Sequence, residues 1–131
     1  MIEVGASSKN MDENLTAFFS NYGKDRVDLF APGVKVWSTM PDQSFKASSG
    51  TSMAAPVVTG VVALLMEYFP QLSSREIRDI IVKSTWTYNG DVYRPGSKDK
   101  VKLSDLCSSG GVVNAYNAVK MAMNAIKIQN R

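Results

Sequence analysis

Residues 48–69 read SSGTSMAAPVVTGVVALLMEYF, a polar loop with one glycine and four hydroxyl side chains that runs straight into an apolar stretch. From about Ser52 the pattern is helical, and up to Phe69 it is apolar nearly all round, which predicts a helix buried on most sides. Pro56 is compatible with that helix near its first turn, where backbone N–H groups lack intrahelical acceptors. Gly60 weakens a helix and predicts that another backbone packs close to it. A Ser at such a junction has the setting of a nucleophile: Gly50 lets the loop turn, and the helix N-terminus favours developing negative charge at Ser52. The same hydroxyls equally suit a commoner task, with Thr51 or Ser52 as the helix N-cap.

Downstream, Ser73-Ser74-Arg75-Glu76 is a capping box, Leu72 can staple against Ile77, and Ile77, Ile80 and Ile81 form an apolar stripe, so a second helix follows. Residues 86–111 carry Gly, Pro and charge and read as a long connection with a short strand at Val101–Leu103. A last helix is expected over Val113–Ile126, with Ala115, Ala118, Val119, Ala122 and Ile126 on one face. Upstream, Ile2–Ala6 and Val27–Ala31 read as short buried strands, the second stopped by Pro32-Gly33. Lys35–Thr39 and Phe45–Ser48 flank Pro41-Asp42 and read as a hairpin. Short strands alternating with helices define an α/β fold. Two parallel strands leave faces and edges uncovered, and the central helix has more apolar surface than this chain offers to cover, so the fold reads as incomplete.

The 131 residues fit one domain with a real core, and 44% hydrophobic and 21% charged residues exclude a disordered chain. A net charge of +3 is modest. The triplet Lys98, Lys100 and Lys102 lacks interleaved aromatics and reads as a solvated loop, so no nucleic-acid partner is expected. Cys107 stands alone, which leaves a packed or exposed free thiol and no cysteine metal site. The run Val57–Met66 is too short to span a bilayer, and the first residues lack the basic start and apolar stretch of a signal peptide, so no membrane partner is expected. Asn14-Leu15-Thr16 matches an N-glycosylation acceptor, a pattern common by chance.

GTSMAAP, residues 50–56, resembles the nucleophile signature of the subtilisin-like serine proteases, the subtilases. IEVGA, FSNYG, DLFAPGVKVWST and GGVVNAYNAV resemble further segments of that family in the same order, over residues 2–84 and 108–122, while 86–107 looks like an insertion. The resemblance implies a partial subtilisin-like fold, the C-terminal part of a doubly wound parallel sheet with a β-hairpin and three helices. Residues 1–131 are then a C-terminal fragment of a peptidase domain.

By the same resemblance Ser52 is the attacking hydroxyl and its N–H an oxyanion donor, with the Thr51 hydroxyl in support. Met53 packs beside the nucleophile, and Ser48, Ser49 and Gly50 line the substrate cleft. Val57 stands where many members carry a structural His. Asp28 falls where some members have a carboxylate near a weakly bound cation, so calcium is an option in the full-length enzyme; in this chain a solvated carboxylate and no cofactor are expected.

The family's Asp and His precede the Ser, as does the second oxyanion donor, and this chain has no His at all. Asn21 belongs to FSNYG and does not match that donor. Lys46 is the nearest amine, with nothing to mark it as a base. The scale of the loss is subtilisin's own: removing the His alone costs roughly 10⁶ in kcat. The expectation is an endopeptidase that acts on peptides or proteins through an acyl-enzyme, secreted or periplasmic by resemblance, with this piece inactive alone. Its partners are the missing N-terminal part of the domain and, through exposed core surface, other copies of itself. The competing reading is a non-catalytic subtilase-like module used for binding or scaffolding.

Overall fold

The computed structural model describes residues 1–129. Strands β1 (Val4–Ser7) and β2 (Leu29–Pro32) run parallel, in the register Val4↔Leu29, Gly5↔Phe30, Ala6↔Ala31 and Ser7↔Pro32. Alternation sends Leu29 and Ala31 to one face of the sheet and Phe30 to the other. The Phe30 ring lies over Gly5, where a Cβ would come 2.7 Å from Phe30 Cε1. Strands β3 (Val36–Met40) and β4 (Ser44–Ser48) form the expected hairpin. Asp42 and Gln43 turn it in the left-handed region, at φ 61° and 55°.

Helix α1 (Thr51–Tyr68) lies across β1 and β2 and buries one stripe, Ala54, Val58, Val61 and Leu65. The expectation of burial on most sides is not met within this chain. Pro56, Thr59, Gly60 and Ala63 are exposed, as are Leu64, Met66 and Tyr68. Gly60 faces open space, with no atom within 4 Å of a Cβ placed there, so the backbone expected against it is not among the described residues. Pro56 falls in the second turn rather than the first, and the helix runs through it. The hydrogen bond it forgoes is the one to the Ser52 carbonyl. At 18 residues α1 also meets the length and composition of a membrane span, which Val57–Met66 alone did not, although its buried stripe packs on the sheet.

Helix α2 (Ser74–Lys83) starts with the predicted capping box. Ser73 Oγ accepts from the Glu76 N–H at 3.3 Å, and Glu76 Oε2 accepts from the Ser73 N–H at 2.8 Å. Ile77, Ile80, Ile81 and Leu72 are buried, as their spacing requires. Helix α3 (Ala115–Gln129) starts two residues later than expected and buries Ala118 and Ala122.

The stretch between α2 and α3 differs most from its reading as a connection. It forms β5 (Trp86–Thr87), β6 (Asp91–Tyr93), β7 (Lys100–Lys102), a 3₁₀ turn (Leu103–Asp105) and β8 (Gly111–Val112). β8 pairs parallel with β2 and antiparallel with β5, so the main sheet is mixed, in the order β1-β2-β8-β5. β6 and β7 make a second hairpin, with Val92 and Val101 inward and Lys100 and Lys102 outward. Those lysines are paired rather than merely solvated, Lys100 with Glu13 and Lys102 with Asp91 at 2.6 Å.

The two faces of the sheet are therefore covered by different material. All three α-helices pack on the Leu29/Ala31 face. The Phe30 face is covered by Leu15, Val27, Val92, Leu103, Leu106 and Cys107, so the segment that looked like an insertion supplies most of the cover on that face. Cys107 is fully buried, its Sγ 3.7 Å from the Leu103 carbonyl oxygen, and burial pushes its thiol above its ordinary range. A thiol raised in the folded state stabilises the fold fully below the unfolded thiol's pKa, roughly 8.5, and ceases to do so as pH rises through the folded value. Urea midpoints of the wild type should thus fall between pH 8 and pH 10 by more than those of Cys107→Ala. A disulfide reagent should label Cys107 only after denaturation; rapid labelling of the native chain would contradict this packing.

Candidate active site

Three segments meet where β1 and β2 end. The Gly33 N–H donates to the Ser7 carbonyl at 2.9 Å, and the Gly50 N–H donates to the Gly33 carbonyl at 2.8 Å. The approach is so close that a Cβ on Gly33 would lie 2.7 Å from both Ala6 Cβ and Gly50 O, and 3.2 Å from Ala54 Cβ. Ends of parallel strands are where α/β sheets hold ligands. Here the junction places the first turn of α1 at the carboxyl end of β1 and β2.

That first turn is unlike the start of α2. The N-cap of α1 is Gly50, no side chain caps the helix, and its first turn holds no acidic residue. The reading of Thr51 or Ser52 as N-cap therefore fails, because both lie inside the helix as its first two residues. A glycine cap forgoes about a few tenths of a kcal/mol relative to a capping side chain, and it leaves the Thr51 and Ser52 N–H groups at the positive dipole end without a side-chain acceptor. Ser52 is exposed, and its Oγ has no hydrogen-bond partner among the described residues. Thr51 beside it is half-buried. Together they present a free hydroxyl and an electropositive helix end at one point, a setting suited to an anion or an oxyanion.

The other residues singled out in the sequence border this point. Met53 is half-buried and folds back on the loop, its Sδ 3.4 Å from a Cβ placed on Gly50, while its N–H donates to the Gly50 carbonyl at 3.0 Å. Ser48 ends β4 opposite Val36. Ser49 is exposed, and its Oγ accepts from the Lys35 N–H at 2.9 Å, which fixes the loop after the hairpin. Lys46 is exposed on β4 across from Ser38 and makes no hydrogen bond to Ser52 among the described residues. Asp28 is not the solvated carboxylate expected from sequence. Its Oδ1 accepts from Arg78 at 2.8 Å and its Oδ2 from the Glu3 N–H at 2.9 Å, so it clamps α2 to the start of β1. No group of three His, Cys, Asp or Glu side chains suited to a metal exists among the described residues.

Sequence reasoning missed two positioning residues. Gly33 was read only as a strand stop, although a glycine directly after a strand also signals close approach. Ser20 is buried, accepts from the Ala6 N–H at 2.7 Å and ties the FSNYG segment to β1; nothing in its local pattern marks it.

A two-layer α/β fold with a free serine at an uncapped helix start, at the carboxyl ends of parallel strands, is a hydrolase-like arrangement. The subtilase family model matches residues 1–119, and the chain belongs to that family. It is 38% identical over 96 residues to subtilisin DY of Bacillus licheniformis, a match that covers 73% of this chain and 33% of that protein. It is 43% identical over 94 residues to alkaline elastase YaB of a Bacillus species, covering 72% and 24% respectively. Among solved structures, the CspB protease of Clostridium perfringens matches with a TM-score of 0.71 at 32% identity, covering 95% of this chain and 27% of that one. The A-subunit of an AB5 toxin from E. coli matches with a TM-score of 0.75 at 26% identity, covering 92% and 37%. The chain thus spans between a quarter and two-fifths of the length of these relatives.

Two glycine substitutions test the packing around the site. Gly33→Ala forces a Cβ against backbone and should destabilise the chain by about 1–3 kcal/mol in urea unfolding. Gly60→Ala enters open space on a helix and should stabilise it by about 0.5–1 kcal/mol. A neutral Gly33→Ala would refute the close approach.

Proposed function

We propose that this chain is the C-terminal part of a subtilisin-like serine endopeptidase domain and that Ser52 is its nucleophile. The observation that carries the reading is the Ser52 hydroxyl, unbonded and exposed at a helix start that no side chain caps. Family membership makes peptides or proteins the substrate class. In the complete enzyme a histidine from upstream sequence takes the Ser52 proton as Oγ attacks the peptide carbonyl. The Ser52 N–H and an upstream amide hold the oxyanion, with the Thr51 hydroxyl in support. The amine leaves with the proton, and water then hydrolyses the acyl-enzyme. Met53 packs beside the nucleophile, and Ser48, Ser49 and Gly50 border the peptide.

No cofactor takes part in these steps. With both Asp28 oxygens already engaged, a calcium ion in the full-length enzyme would need ligands from elsewhere. Secretion follows the family's habit. The exposed side of α1, and the outer edge of β1 before Ala6, fit a surface that the upstream part of the domain covers. Until it does, association with other copies through the same surface is expected.

A fluorophosphonate probe separates these elements. The 131-residue chain should not be labelled, whereas the full-length gene product should be labelled at Ser52 and lose the label in Ser52→Ala, with kcat reduced by roughly 10⁶. Stoichiometric labelling of the isolated chain would overturn the need for upstream residues. A full-length protein that is neither labelled nor active would make this a binding module.

A further inference from the structure

A concave site lies on the loop that follows β1. The chain leaving β1 turns back at once: Thr16 bridges Ser7, the Ala17 N–H donates to the Ala6 carbonyl at 3.0 Å, and the Ser8 N–H donates to the Leu15 carbonyl at 2.7 Å. This loop is strapped to the β6–β7 hairpin by the Thr16 hydroxyl, which donates to the Tyr93 carbonyl, and by the Tyr93 N–H, which donates to the Glu13 carbonyl at 2.8 Å. Between them is a cleft of about 440 Å³, lined by Thr16, Phe18, Tyr93, Arg94, Pro95 and Lys98 among others, with no acidic side chain in its lining. Phe18 is 73% exposed, an unusual state for a phenylalanine held by a buried loop.

The charges select the occupant. Glu13, behind the cleft, is neutralised by Lys100. Arg94 forms an ion pair with Asp99 at 3.7 Å, a solvent-exposed contact of the kind that water screens and a bound carboxylate can replace. Lys98 makes no ion pair among the described residues. Lys98 and the weakly paired Arg94 rim a pocket whose walls are an aromatic ring and a buried proline, each next to residues held by backbone hydrogen bonds, Ala17 to Ala6 and Arg94 to Asp99. The cleft sits on the loop that follows the carboxyl end of β1, the same edge of the sheet that carries Ser52.

We infer that this cleft is an exosite for an acidic segment of a protein substrate, which sets an apolar side chain against Phe18 and Pro95 and a carboxylate between Arg94 and Lys98. The inference rests on the peptidase reading for its biological use, but binding at the cleft needs neither Ser52 nor the upstream residues. Preorganised walls lower the entropy cost of holding an extended peptide, and the cationic rim discriminates against neutral or basic segments.

The test uses the 131-residue chain and fluorescein-labelled decapeptides in anisotropy titrations. One peptide carries Glu-Leu-Glu in a Gly/Ser background, and its control carries Gln-Leu-Gln. The acidic peptide should bind about five- to tenfold more tightly than the control. Arg94→Gln/Lys98→Gln should erase that difference, Phe18→Ser should weaken both peptides, and Ser52→Ala should change neither. Protection of Cys107 from a disulfide reagent reports that each variant is folded. Equal affinity for the two peptides, or a folded double variant that still discriminates, would overturn the exosite. So would displacement of the acidic peptide by a single-stranded oligonucleotide at lower concentration than by unlabelled peptide, which would assign the rim to nucleic acid. Loss of peptide binding with intact fluorophosphonate labelling of the full-length protein sinks the exosite alone; the converse sinks the peptidase reading alone.

Discussion

The geometry of the site depends on the contact at Gly33. Its N–H and carbonyl each make a hydrogen bond, one to the end of β1 and one to the loop before α1, and its missing Cβ lets three backbone segments meet. Hydrogen bonds alone would hold Gly50 at roughly the right distance. The steric constraint adds direction, because Ala54 and Ala6 leave α1 little freedom to slide along the sheet without colliding. Ser52 is thereby fixed relative to the strands by residues that take no part in chemistry. A rigid element placed by packing is a better platform for a nucleophile than a loop placed by its own conformation.

The two helix starts in this chain show how that platform is kept available. α2 closes its N-terminus with Ser73 and Glu76, as helices do when only stability matters. α1 begins with a glycine, no capping side chain and no acid, and then gives up a further hydrogen bond at Pro56. Both departures touch Ser52: the open cap leaves its N–H without a side-chain acceptor, and the proline leaves its carbonyl without an i+4 donor. A helix start that is weak by local rules, while the helix body packs well, is the pattern expected where binding of negative charge recovers the missing interactions.

The helices and the β3–β4 hairpin were legible because each carries a signal within a few residues: a 3.6-residue stripe at Ile77, Ile80 and Ile81, a capping box, a Pro-Asp turn. β5, β6 and β8 were not. Strands of two or three residues cannot show alternation, and Gly110-Gly111 reads as a breaker although Gly111 pairs with Thr87. The role of residues 86–107 was hidden for a different reason. Val92, Leu103 and Leu106 are unremarkable in a polar stretch, and only Phe30, over 60 residues away in sequence, explains why they are buried. At the site, the loop and Ser52 were read from a contiguous motif. Ser20 and Gly33 act across the fold, on partners such as Ala6 and Gly50 that no local window contains.

Coverage of the sheet supplies the remaining step. The Phe30 face is closed by this chain's own loop and second hairpin, and the Leu29/Ala31 face by three helices, so the interior is complete where the chain wraps around itself. What stays open is the outer side of α1, with Leu64, Met66 and Tyr68, and the start of the outer edge of β1, before Ala6, whose N–H and carbonyl are taken by Ser20 and Ala17. α1 carries Ser52, and β1 ends beside the start of that helix. The uncovered surface and the unbonded Ser52 hydroxyl thus lie on the same helix, and one body packed on α1 would reach both.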